Sequence, residues 1–323
     1  MATGWTTADI PDLDGKTILV TGANSGLGYE TALALAARRA HVLLACRDQA
    51  KGRDAKARIR ADTPQAKTTL IPLDLASLAD IRRCAAAVSA AHPRLNVLVN
   101  NAGVMALPYR RTQDGFEMQF GTNHLGHFAL TGLLLEPLLA TGDSRVVTVS
   151  SGAHRFGSIR FNDLQWERGY RKWRAYGQSK VANLLFTYEL QRRLTAAGSH
   201  VLSVAAHPGY AATNLQAAGP RMEGSSLMER LSDLGNRLFA QTAAMGALPQ
   251  LYATVAPDVR GGEYFGPSSV GELWGSPRKV PSNAHSRDVT VAQQLWTLSE
   301  TLTGVRYAFE TVTAAAASPA AHA

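Results

Sequence analysis

The chain has 323 residues, of which 46% are apolar and 18% charged, and it carries a formal net charge of +8. That length and balance fit one large globular α/β unit with a sizeable core, with disorder confined to the ends. Two cysteines, Cys46 and Cys84, exclude a disulfide framework and give no metal-ligand spacing, so buried inert thiols and no metal are expected.

Residues 1–12 read as an N-terminal extension; Met1 to Gly15 lacks the basic start and apolar core of a signal peptide. The longest apolar stretch, near Phe128 to Ala140, is too short to span a bilayer and is interrupted by Glu136 and Pro137. A cytoplasmic protein without a membrane span is expected. The first strand candidate, Thr17 to Val20, runs into Thr21-Gly-Ala-Asn-Ser-Gly-Leu-Gly28 and then a helix-forming segment from Tyr29 to Arg39. Glycines at a strand-to-helix turn leave the first helical N–H groups open to a pyrophosphate, with no side chain at Gly22, Gly26 or Gly28 to block the approach.

Further apolar strand candidates follow at Val42 to Ala45, Thr69 to Leu73, Asn96 to Asn100, Arg145 to Ser150 and His200 to Ala206, with helical patterns between them. Continuous apolar runs alternating with helices predict a doubly wound parallel sheet of Rossmann type, of about seven strands and covered on both faces. The basic stretch Arg47 to Arg60 has no interleaved aromatics and reads as a solvated helix face; nucleic acid is not expected as a partner. A basic surface does favour a phosphorylated cofactor. Residues 210–246, rich in Gly, Ala, Met and Leu, are expected to form a small helical substrate lid, and the alanine-rich residues 311–323 a disordered tail.

Chemistry gathers at three further places. Tyr176-Gly-Gln-Ser-Lys180 stands at the start of a helix running through Leu194, and the spacing of four puts both side chains on one face. There a lysine ammonium can stabilise a phenolate and lower the tyrosine pKa from its usual ~10. Ser150 and Ser151 close the fifth strand, and Asn123 lies in Asn123-His-Leu-Gly-His-Phe128 on the helix after the fourth. Ligands of open parallel sheets bind beyond the carboxyl ends of the strands, where these residues fall. A serine pair at a strand end is also an ordinary turn cap, so position alone leaves both readings open.

Together these elements resemble the short-chain dehydrogenase/reductase family from about Leu13 to Val305, which sets residues 13–310 as the catalytic unit. The carrying motifs are Thr21-Gly-x-x-x-Gly-x-Gly28, Asp74-Leu75, Asn100-Asn-Ala-Gly103, Asn123, Ser151, Tyr176-x-x-x-Lys180 and Pro208-Gly209. The wording Val149-Ser-Ser-Gly-Ala-His154, Phe161-Asn-Asp-Leu164 and Ser179-Lys-Val-Ala-Asn-Leu-Leu-Phe186 is similar to the branch with retinol dehydrogenases, the WW-domain oxidoreductase and protochlorophyllide reductases. The resemblance implies that Tyr176 protonates the substrate oxygen, that Lys180 lowers its pKa and bonds the nicotinamide ribose, and that Ser151 holds the carbonyl. It further implies that Asn123 fixes a water linking Lys180 to solvent. The cofactor residues it implies are Gly22, Asn24, Ser25, Gly26, Leu27, Gly28, Asp74, Leu75, Asn101, Gly103, Tyr176, Lys180, Pro208, Gly209 and Thr213.

An acid preferring the unphosphorylated cofactor is expected about 20 residues past the glycines. Cys46 takes that place and Arg47 follows, able to fork onto a 2′-phosphate with Lys51 nearby. NADP(H) is therefore expected over NAD(H). The substrate expectation is an apolar ketone, aldehyde or alcohol, with an insert bringing Phe161, Trp166, Tyr170 and Trp173 near the site; Arg168, Arg171, Lys172 and Arg174 offer a grip on an acidic group instead. Reduction of a carbon–carbon double bond is the alternative chemistry, and a dinucleotide-sensing or partner-binding protein is the alternative class. A homo-oligomer and a monomer both stay open.

Overall fold

The structure, a computed structural model, describes residues 4–210 and 241–309. Its strands are β1 (Thr17–Thr21), β2 (His41–Cys46), β3 (Lys67–Pro72), β4 (Val97–Asn100), β5 (Arg145–Val149), β6 (Leu202–Ala206), β7 (Tyr264–Pro267) and β8 (Pro277–Lys279). They form one sheet in the order β3-β2-β1-β4-β5-β6-β7-β8. β1 to β7 are parallel and β8 pairs antiparallel with β7, so the doubly wound parallel sheet is present with one short antiparallel strand added at its edge.

Consecutive residues in a strand point to opposite faces, and both faces here are apolar. Ile18, Val20, Val42 and Leu44 face one core with Leu35 of α1 (Gly26–Ala37), Ile59 of α2 (Gln49–Asp62) and Leu251 of α8 (Ala243–Val255). Leu19, Leu43 and Ala45 face the other, with Ile81 and Cys84 of α3 (Leu78–Ala91), Phe128 of α5 (Gly126–Leu133), Leu190 of α7 (Lys172–Ala196) and Trp296 of α9 (Val289–Thr303). Burial drives both thiols upward, Cys46 to about 11 and Cys84 to about 12, which keeps them protonated and unreactive.

The helix starts follow side-chain capping: Asp48 accepts from Ala50 and Lys51 N–H at α2, and Ser77 accepts from Asp80 N–H at α3. α1 departs from this, because its N-cap Ser25 makes no side-chain cap bond. Residues 4–12 are less detached than an extension suggests. Ile10 is buried in the first core and Trp5 stacks edge-on against Tyr252 at 5.3 Å.

Strand order reverses between β1 and β4, whose flanking connections leave on opposite faces of the sheet. The crevice that opens at their carboxyl ends is the expected ligand position in such sheets. Two local features shape it. Asn123 lies on a π-helical turn, Gly121–Leu125, between α4 (Met118–Phe120) and α5, closed by Gly126 N–H donating to the Gly121 carbonyl. α7 starts at Lys172, earlier than Tyr176 suggests, so Tyr176 and Lys180 sit inside the helix and are both buried. Among the described residues no helix is long and apolar enough to cross a membrane, and no His, Cys, Asp and Glu cluster is arranged to hold a metal.

Candidate active site

A cavity of about 1160 Å³ occupies the crevice at the carboxyl ends of the strands. At one end lies the turn between β1 and α1. Gly22 and Gly26 have φ of +67° and +54°, the left-handed region that glycine adopts without strain. A Cβ at Gly28 would run into the Gly22 carbonyl oxygen and the Asn101 amide nitrogen. The turn is thus fitted for close backbone approach, and the uncapped first turn of α1 faces the cavity beside Asn24, Ser25 and Leu27.

Asn101 lines the cavity, but its side chain serves the turn itself. Its amide donates to the Thr21 carbonyl at 2.8 Å, and its oxygen accepts from Gln250 at 3.2 Å. Arg47 follows the buried Cys46 at the end of β2 and stands exposed on the cavity margin with Lys51. Asp74 and Leu75, after β3, complete that end, and Asp74 Oδ1 accepts from Ala76 N–H at 2.9 Å.

The other end gathers Ser151, Tyr176, Lys180, Pro208 and Gly209. Of the two serines, Ser150 is committed to the scaffold: it is buried and donates to the Lys180 carbonyl at 2.8 Å. Ser151 Oγ accepts from Ala153 N–H at 3.2 Å and lies on the cavity wall. Burial pushes the Tyr176 phenol up to about 12, with a side-chain hydrogen bond to Ser151 working the other way. Burial likewise pushes the Lys180 ammonium down to about 8. Lys180 Nζ donates to the Val149 carbonyl at 3.1 Å and lies 5.7 Å from the centre of the Tyr176 ring. Desolvation, not the lysine charge, therefore dominates Tyr176 here, and the phenol is held as an acid.

Among the described residues implied as catalytic or cofactor-binding, Asn123 is the one that does not reach the cavity wall. It is fully buried behind it: Oδ1 accepts from Val104 N–H at 2.8 Å, and Nδ2 donates to the Val104 carbonyl and to Ser179 Oγ, each at 2.9 Å. Both Nδ2 hydrogens are thereby used, and Oδ1 keeps one lone pair. Gly103 makes the closeness possible, since a Cβ there would stand 3.1 Å from Asn123 Oδ1.

The insert after Ser151 behaves differently from expectation. Trp173 and Lys172 line the cavity, whereas Phe161, Trp166 and Tyr170 do not. Phe161 packs against a separate apolar cluster with Phe120 and Leu185, and Trp166 is buried under the Arg160 guanidinium at 4.2 Å. The Tyr170 hydroxyl accepts from Gln119 at 2.8 Å and donates to the Leu107 carbonyl at 2.9 Å, fastening the insert to the start of α4. Arg168 reaches the Asn162 carbonyl at 3.1 Å. Thr213 and most of the expected lid lie outside the described residues, as do residues 311–323.

A wall without any sign in the sequence closes the remaining side. His207 Nδ1 accepts from Gly209 N–H at 3.2 Å, so its Nε2 carries the proton and donates to Glu272 at 3.0 Å. The same carboxylate oxygen meets Arg155 at 2.8 Å. The His207 hydrogen bond and the nearby positive charges hold the Glu272 carboxyl below its ordinary range. Glu272 follows Gly271 in the left-handed region, with φ of +58° and +73°. Arg155 sits just past the quoted serine motif, but only the fold brings it to a glutamate more than a hundred residues away.

These features agree with the similarities of the chain. Residues 16–224 match the family model described as short chain dehydrogenase. Retinol dehydrogenase 14 of Mus musculus is 42% identical over 305 residues, covering 91% of this chain and 87% of that protein. Retinol dehydrogenase 13 of Homo sapiens is 43% identical over 296 residues, with 91% and 86% covered. Among solved structures, an uncharacterised protein from Mycobacterium paratuberculosis aligns at 46% identity and a TM-score of 0.76, covering 95% of this chain and all of that one. A gluconate 5-dehydrogenase candidate from Beutenbergia cavernae with bound NADP aligns at 26% identity and a TM-score of 0.61, covering 78% of this chain and 95% of that one. With its glycine turn, its Ser151, Tyr176 and Lys180 cluster and relatives matched along nearly the whole length, the chain belongs to the short-chain dehydrogenase family of oxidoreductases.

Proposed function

We propose that this chain is an NADP(H)-dependent oxidoreductase acting on an apolar ketone, aldehyde or alcohol, with Tyr176 as general acid and base. The carrying observation is that one cavity holds the glycine turn and Arg47 at one end and Ser151, Tyr176 and Lys180 at the other. The turn fits a dinucleotide because a pyrophosphate needs the uncapped N–H groups and the side-chain-free approach that Gly22, Gly26 and Gly28 supply. Arg47 would take the 2′-phosphate, and Pro208 and Gly209 would flank the nicotinamide end. The chemistry supplied by such a cofactor is hydride transfer.

Everything else falls to the protein. Ser151 holds the substrate oxygen, and Tyr176 gives it a proton as negative charge builds there. Burial keeps that phenol protonated and so able to donate. Lys180, fixed by the Val149 carbonyl and close to its point of deprotonation, replaces the proton from behind. Apolar substrate is supported by Met105, Phe156, Trp173 and Leu273 on the wall, and by the names of the retinol dehydrogenase relatives. The test is NADPH consumption across a panel of apolar and anionic carbonyls. Turnover of apolar ones with little of anionic ones is expected; tight NADPH binding without turnover of any carbonyl would overturn the reading.

A further inference from the structure

His127 carries no role in the reaction outlined above, yet it is fully buried at the junction of three parts of the site. Its Nδ1 lies 3.0 Å from the Asn123 carbonyl oxygen on the π-helical turn, and its Nε2 lies 3.0 Å from Thr21 Oγ1 at the end of β1. A carbonyl can only accept, so Nδ1 carries the proton and the neutral ring must accept at Nε2. The Thr21 hydroxyl is the donor there, with the Val99 carbonyl as its competing acceptor at the longer distance of 3.3 Å. It in turn accepts from Asn101 N–H and Ala102 N–H, both at 2.9 Å, at the end of β4.

We infer that His127 is a positioning residue that ties the dinucleotide turn to the proton-transfer side of the site, through two hydrogen bonds with separable effects. The inference rests on the NADP(H)-dependent reading above. Through Nε2 and Thr21, His127 fixes the turn that begins at Gly22 against β4. Through Nδ1 it aims the Asn123 carbonyl. The Asn123 side chain holds Val104 on the cavity wall and Ser179 on α7, and Ser179 Oγ donates to the Tyr176 carbonyl at 2.8 Å. Burial holds the ring neutral, pushing it down to about 4, and the Lys180 charge adds to this; the other titratable group facing it is His124, itself buried and neutral.

Two substitutions separate the bonds. In His127→Asn the amide can occupy the Nδ1 position and donate to Asn123, but it does not reach Thr21. In His127→Gln the amide oxygen can reach the Nε2 position and accept from Thr21, but the Asn123 carbonyl loses its donor. Full-length protein is compared by NADPH fluorescence titration, by steady-state reduction of the best carbonyl of the panel, and by the pH profile of kcat/KM. His127→Asn is expected to keep kcat and the pH profile within about threefold of wild type while weakening NADPH by about tenfold; His127→Gln is expected to keep NADPH affinity, lose about tenfold in kcat and displace the profile. His127→Ala should show both losses. If Asn and Gln variants lose stability alike and leave both the affinity split and the pH profile unchanged, His127 is a core residue and the inference is wrong. The titration arm needs no turnover, so a wild-type enzyme inactive on every carbonyl would sink the reading of the reaction without deciding this one.

Discussion

Replacing Arg47 by aspartate probes the cofactor assignment where it is most exposed to failure. Arg47 stands at the end of β2, after a buried Cys46, where an acid would favour the unphosphorylated dinucleotide. Losing a charge-assisted hydrogen bond costs about 1.5–3 kcal/mol, and the exposure of Arg47 argues for the lower half of that range. The introduced carboxylate would face a phosphate across roughly 5 Å in a solvent-like dielectric, adding about 1 kcal/mol of repulsion. The sum, near 2.7 kcal/mol, corresponds to roughly 100-fold weaker NADPH binding. NADH should bind equally or several-fold better, since a carboxylate can accept from a free 2′-hydroxyl. Dissociation constants for both cofactors, measured by nucleotide fluorescence on wild type and variant, give the ratio directly. Raising the salt from about 0.1 M to about 1 M cuts the Debye length from ~10 Å to ~3 Å, so the repulsive share should fade and the hydrogen-bond share persist. If the two cofactors weaken in parallel at either salt, Arg47 does not select between them.

Other expectations follow from the same geometry. Tyr176→Phe removes the proton donor and should lower kcat by about 10² to 10⁴-fold with NADPH affinity nearly unchanged; retention of a tenth of the activity in steady-state assays would remove Tyr176 from the chemistry. Gly28→Ala forces a Cβ onto the Gly22 carbonyl, a backbone atom that cannot step aside, so thermal melting should show a loss of about 1–3 kcal/mol and titration a loss of NADPH binding. His124, His127 and His154 are pushed down by burial to about 3, 4 and 4. Because the unfolded chain binds those protons first, their contribution is complete above their ordinary value of ~6.5 and is lost as pH falls toward ~4, by up to about 1.4 kcal/mol per pH unit for each. Melting temperature should fall through that window, and a flat profile would show that the rings are not held neutral.

The parallel core of the sheet could be read along the chain because each of β1 to β6 is an apolar run between helical patterns. β7 and β8 could not. Gly261, Gly262, Gly266 and Pro267 make the β7 region look like turn, and β8 is a short, partly exposed strand beginning with a proline. The glycine turn was legible because its spacing is tied to local structure, whereas Ser151, Tyr176 and Lys180 were singled out by the family resemblance, their positions alone leaving both readings open. Trp166 and Tyr170 were misplaced for the opposite reason. Aromatic character says that a residue will be covered, while Arg160, Gln119 and Leu107 decide by what. Glu272 was invisible, since a lone glutamate in a loop gains meaning only from His207 and Arg155, which reach it through tertiary structure.

Asn101, Thr21 and Gln250 hold the glycine turn from behind, and Gln250 also donates to Thr31 inside α1. The glycine turn is therefore braced from the end of β4 and from α8, elements distant in the chain. Arg47, by contrast, reaches the cavity margin from the surface and makes no hydrogen bond or ion pair among the described residues. On the proposed reading, affinity for the shared part of a dinucleotide and choice between its two forms would rest on separate foundations, one braced and one replaceable. Such a division would let cofactor preference be exchanged at the margin of β2 without rebuilding the turn, whereas a change at Gln250, which does not line the cavity, would loosen the grip on either form.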